Sequence, residues 1–129
     1  MARWLFKEEP NNYSFDRLVE DKQALWNGIA NPLALKNLRR VKTGDEIFFY
    51  HTGKEKAIVG IMRATADAVD DDEVSVKVEP VSRLKQPVTL AVVKAEPDLK
   101  DWELARLPRL SIMPVTANQW KRVLALAHA

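Results

Sequence analysis

The chain of 129 residues predicts an α+β fold, with a curved or closed, mainly antiparallel sheet and short helices against it. Three observations carry that expectation. Residues 46–52 form a continuous apolar run ending in polar groups, the pattern of a strand covered on both faces. Val74, Val76 and Val78 alternate with Ser75, Lys77 and Glu79, the pattern of a strand with one wet face. Helix-start signals stand on either side of this strand-rich middle, which is the element order of an α+β chain.

Residues 2–6 read as a first short strand. Ser14 then serves as an N-cap for a helix running to about Asp21, with Phe15, Leu18 and Val19 on its inner face. Asn31-Pro32 opens a second helix, because proline at N1 gives up an N–H that would be unpaired anyway. Leu33, Leu35 and Leu38 supply its apolar positions, and Lys36, Arg39, Arg40 and Lys42 load its C-terminal end with charge that suits the helix dipole. A Lys42-Thr43-Gly44-Asp45 turn leads into the strand at 46–52. The turn 53–56 follows, then a long strand at 57–69, an acidic turn, the alternating strand from Val74, and a further strand at 87–94 with Val88, Leu90 and Val92 in alternation. Thr116 and Gln119 fit a capping box that opens a last helix carrying Trp120, Val123 and Leu124 inward. Trp102, among charged residues, has no assigned place.

Length and a 47% hydrophobic content fit one domain spanning residues 1–129, large enough for a core without staples. Cysteine is absent, which removes disulfides and thiolate ligands. The first residues lack the apolar segment of a signal peptide, and no run approaches the roughly 18 apolar residues of a membrane span. These features point to a cytoplasmic protein without membrane partners. The net charge is +2, but five of the 18 acids lie within 67–73, leaving 20 bases against 13 acids elsewhere, a net of +7. A basic body can hold phosphates while an acidic turn stays clear of them; a solvated acidic turn on an ordinary surface explains the same pattern.

Most catalytic templates fail. His51 and His128 are the only histidines, no acidic set stands at metal spacing, and no Gly-rich loop is present to cradle phosphate. Ser111 and His51 could pair as nucleophile and base, but no orienting acid is identified. No metal or cofactor is expected. The binding candidates are of another kind. Trp26 at a loop edge is either a stacking platform for a base or a core residue closing one end of the sheet. Asn27 offers donor and acceptor together, matching the mixed edge of adenine or cytosine, and Asn31 is either a helix cap or a ligand contact. On the strand end, His51 should face away from Tyr50 and Thr52. Lys7 and Arg109 stand at the exits of short apolar segments, suited to phosphate or carbonyl groups.

Several motifs resemble one family. Lys7-Glu8-Glu9-Pro10, Trp26-Asn27-Gly28-Ile29-Ala30-Asn31, Phe49-Tyr50-His51-Thr52, Ile58-Val59-Gly60 and Arg109-Leu110-Ser111-Ile112-Met113-Pro114-Val115 are together similar to the EVE domain, a PUA-like module related to YTH readers. The resemblance spans nearly the whole chain. It implies a PUA-like β-barrel flanked by short helices and a non-catalytic module that recognises a modified base in DNA or RNA. By that resemblance Lys7, Trp26, Asn27, Asn31, Tyr50, His51, Thr52, Arg109 and Ser111 are pocket candidates. Glu8 stands where a hydroxyl residue is common and Ala30 where arginine is common, so one departure adds an acid and the other removes a base. A protein-interaction adaptor with a vestigial pocket is the alternative, and a nucleic-acid-processing enzyme the third reading.

Overall fold

A computed structural model describes residues 1–128. The elements follow as β1 (Arg3–Glu8), α1 (Phe15–Asp21), β2 (Ala24–Trp26), α2 (Pro32–Leu38), β3 (Glu46–His51), β4 (Ala57–Ala64), β5 (Val69–Asp70), β6 (Val74–Thr89), α3 (Leu90–Ala95), α4 (Glu103–Arg106), β7 (Ile112–Pro114) and α5 (Ala117–Ala127). The strands make a mixed sheet in the order β2-β6-β4-β3-β1-β7, with β5 paired to β6. Only β1 and β3 run parallel. A parallel pair needs a long crossover, and residues 9–45 supply it with α1, β2 and α2.

The sheet curls into a half-barrel. β2 and β1 lie four strand spacings apart in the hydrogen-bonded order, about 19 Å in a flat sheet. Yet the Trp26 ring on β2 reaches Phe6 on β1 at 5.4 Å between centroids and Phe49 on β3 at 5.3 Å. Much of the bend falls on β6, whose pairing with β4 shifts register twice. Pro80 sits at one of these shifts, where a missing N–H is tolerated. Gly60 on β4 is required by packing: a Cβ there would lie 2.5 Å from Phe15 Cε1. Phe15 thereby lays α1 across the inner face, and Phe49 meets it edge-on. On the opposite face Trp120 of α5 stacks on Phe48 at 3.8 Å, a contact worth roughly 0.5–1.5 kcal/mol beyond its burial.

The Lys-x-Gly-Asp turn has a structural explanation. Gly44 takes φ +88°, and buried Asp45 accepts from Trp4 Nε1 at 2.9 Å, Lys42 N at 2.9 Å and Ala2 N at 3.1 Å. One carboxylate thus ties the start of β1 to the entry of β3.

Helix starts fall where the sequence places them. Ser14, Asn31 and Thr116 each accept from a backbone N–H of the first turn, and Gln119 completes the capping box. Three expectations are corrected. β4 ends at Ala64 rather than 69. The strand expected at 87–94 is the end of β6 followed by helix α3, which Thr89 caps. Val93 is buried there while Val92 is 40% exposed, because a helix turns the inward positions to a spacing of three or four. Val19 and Leu33 face solvent rather than the core. The acidic turn is solvent-exposed and tied down at three points: Asp67 accepts from Thr43, Asp70 pairs with Arg39 and Glu73 accepts from Asn27. Trp102 is buried, with its indole N–H on the Pro114 carbonyl.

Candidate functional site

Alternation along β1 and β3 divides the predicted site residues between two faces. Phe6 and Glu8 project with Phe49 and His51 toward α1, while Lys7 projects with Tyr50 to the other side. On the first face lies a cleft of about 250 Å³ lined by Glu8, Asn12, Tyr13, Ala24, Leu25, Trp26 and Asn27. Trp26 forms its floor. Phe6 and Phe49 pack against the indole, which remains only 5% exposed, so the ring is both core residue and cleft wall. Asn27 follows it at the rim, its Nδ2 donating to Glu73 Oε1 at 2.9 Å. Tyr13 carries a phenol that burial, then the hydrogen bond to Asp21, pushes up to about 12.

Residues 27–31 separate this cleft from a second one of about 310 Å³, lined by Asn31, Leu33, Leu107, Pro108, Arg109 and Leu110. Asn31 Oδ1 is occupied as the cap of α2, accepting from Ala34 N at 3.0 Å. Arg109 is exposed at this rim. Lys7 reaches toward the same loop: its Nζ donates to the Pro108 carbonyl at 3.2 Å and stands 5.5 Å from the centre of the Tyr50 ring. Burial holds the Lys7 ammonium below its usual value and pushes the Tyr50 phenol up to about 12. Ser111 lies beside Lys7, accepting its backbone N–H.

His51 and Thr52 are engaged within the protein. Phe15 N–H donates to His51 Nε2 at 3.0 Å, which places the ring proton on Nδ1, and Nδ1 donates to Glu55 Oε1 at 2.9 Å. The imidazole therefore holds the first turn of α1 against β3. Thr52 N–H donates to the Glu8 carbonyl and its hydroxyl to Glu9 Oε2 at 3.4 Å. The structure thus gathers Trp26 and Asn27 at one cleft, Asn31 and Arg109 at the next, and Lys7, Tyr50 and Ser111 behind them. Among the described residues, no group of three or more His, Asp and Glu side chains is placed to hold a metal ion.

Besides Ala24 and Leu25, three polar lining residues of the first cleft escaped the sequence reading as contacts. Glu8 was legible, since it stands two positions after Phe6 and must share its face. Asn12 and Tyr13 come from the turn before α1, and nothing in their spacing signals that they meet Trp26.

The chain has relatives of known sequence and known structure. Thymocyte nuclear protein 1 of Danio rerio is 31% identical over 168 aligned residues, which take in 98% of this chain and 72% of the relative. Its Homo sapiens counterpart is 29% identical over 97% of this chain and 73% of its own length. A protein of Rhodopseudomonas palustris solved by NMR superposes with a TM-score of 0.94 at 38% identity, covering 99% of this chain and 94% of that one. Human THYN1 protein in complex with 5-methylcytosine containing DNA superposes at 0.92 with 27% identity, over 100% of this chain and 99% of that one. An ASCH protein of Zymomonas mobilis, at 0.64 and 12% identity, shares the fold alone.

These relatives overturn the cytoplasmic expectation, because the curated ones are nuclear proteins by name. That expectation rested on a missing apolar leader, a feature that nuclear and cytosolic proteins share. No helix among the described residues is long and apolar enough to cross a membrane. The EVE domain model matches residues 2–126, and with the half-barrel and its motifs in place the chain belongs to the EVE domain family.

Proposed function

We propose that residues 1–129 act as one EVE module that binds a modified base in DNA and performs no chemistry on it. The observation that carries this reading is the cleft over Trp26 and Asn27, on a scaffold that superposes on a relative holding 5-methylcytosine DNA. The cleft falls below the roughly 300–1,000 Å³ of sites for drug-sized ligands and suits one flat ring system. A flipped base enters it between Tyr13 and Asn27, with the Trp26 edge beneath and amide groups along the hydrogen-bonding edge of the base. Arg109, exposed across the 27–31 loop, is the better phosphate contact. Lys7 is committed to the Pro108 carbonyl and is neutralised more readily by its burial. The engagement of both His51 nitrogens argues against the Ser111–His51 pairing and so against the enzyme reading.

A buried methyl contributes about 0.8 kcal/mol, roughly a fourfold preference. Fluorescence anisotropy of a labelled oligonucleotide carrying one 5-methylcytosine, beside its unmodified match, tests the reading. Saturable binding about fourfold tighter for the modified strand is expected, weakened in Asn27→Ala. Binding that ignores the modification, and that Asn27→Ala and Trp26→Phe leave unchanged, would move the adaptor reading to the front.

A further inference from the structure

The chemistry of the cleft wall goes further than the presence of a base. Of the seven lining residues only Glu8 is charged, and it is an acid. Its Oε1 accepts from the Glu9 amide at 2.9 Å, which leaves Oε2 for an incoming donor. The aromatic contribution comes from Trp26 and Tyr13. Both side-chain donors at the rim end on carboxylates, Asn27 on Glu73 and Tyr13 on Asp21. Arg17 on α1 is itself paired with Asp21, and Lys77 stands opposite Leu25 in the β2–β6 register.

We propose that this cleft selects a base bearing positive charge, a ring-nitrogen-methylated purine or pyrimidine such as 1-methyladenine, 3-methylcytosine or 7-methylguanine. The proposal rests on the base-binding reading and names the ligand class of that same site. A carboxylate beside aromatic rings attracts a delocalised cation twice, through charge and through the ring quadrupole. A neutral base meets the same carboxylate only with its amino and ring N–H hydrogens and no net charge, and a carbonyl edge meets it unfavourably. Methylation at adenine N1 or cytosine N3, though not at guanine N7, also removes the pairing edge that holds a base in the duplex. Such a base leaves the stack at lower cost and reaches the cleft more readily.

Single-stranded oligonucleotides of one sequence separate the possibilities, each carrying one 1-methyladenine, 3-methylcytosine, 7-methylguanine, 5-methylcytosine or no modification. Anisotropy should show at least one of the three cationic bases bound about tenfold or more tighter than 5-methylcytosine. In Glu8→Gln the ratio of cationic to neutral affinity should collapse toward one, and the preference should fade as added salt screens the pair. Binding of 5-methylcytosine as tight as that of every cationic base would overturn this inference while leaving the base-binding reading intact. An undiminished cation preference in Glu8→Gln would also overturn it. Failure of every oligonucleotide to bind at low salt would remove both.

Discussion

Asp45 and Glu8 show how little the chemical type of a residue says about its work until its surroundings are known. Asp45 lies in the most motif-like stretch of the chain, yet all three hydrogen bonds of its carboxylate are internal. Asp45→Asn would aim an amide N–H₂ at donors and leave at least one of them unpaired. A loss on the order of 3 kcal/mol is expected, since buried hydrogen bonds to a charged group contribute about 1.5–3 kcal/mol each. Urea unfolding with an unchanged m-value would measure it, and a loss below about 1 kcal/mol would show the hub to be dispensable. Trp26 and Asn27 were legible as a pair because a tryptophan at a loop edge before Asn27-Gly28 is a local pattern, although strand β2 that carries it was not foreseen. The partners that complete their cleft were not, because Asn12 and Tyr13 arrive through the tertiary packing of α1. His51 is the sharper case: strand alternation gave its direction, but only packing supplies the Phe15 amide that it accepts.

At the scale of elements, α1 is held by three devices. Ser14 caps it, Gly60 makes room for Phe15 beneath it, and His51 takes the first N–H. Gly60→Ala should cost about 1–3 kcal/mol through overpacking, and Phe15→Leu in the same chain should recover part of that loss by vacating the ring position. Thermal unfolding of the two single variants and the double variant checks the coupling; additive losses would mean that the two positions are independent. Legibility here followed the range of the signal. Caps are read from a few adjacent residues, and Ser14, Asn31-Pro32 and Thr116 with Gln119 all proved to be helix starts. The 87–94 segment misled because Val88, Leu90 and Val92 are too short a series to separate a period of two from a period near four. The curl of the sheet lay beyond local signals altogether, since β2 meets β1 across strands that come later in the chain.

For the whole molecule, the two tyrosines give a pH signature. Tyr13 and Tyr50 each sit at about 12, against an ordinary value of 10.0. Between those values the folded chain retains protons that the unfolded chain releases, so their contribution is complete below pH 10 and is lost as pH rises toward 12. Tyrosinate absorbance should therefore stay low past pH 10 and appear only near pH 12 or with unfolding; a normal titration of either phenol would contradict its burial. The order of the sheet has a consequence of a different kind. β1 lies between β3 and β7, so the strand of this sheet that is synthesised before the others is paired only by segments centred on residues 48 and 113. A nascent chain paused before β7 emerges carries β1 with one open edge and lacks α5 to cover Phe48. The half-barrel thus closes late in synthesis, and its opening strand waits on its last one.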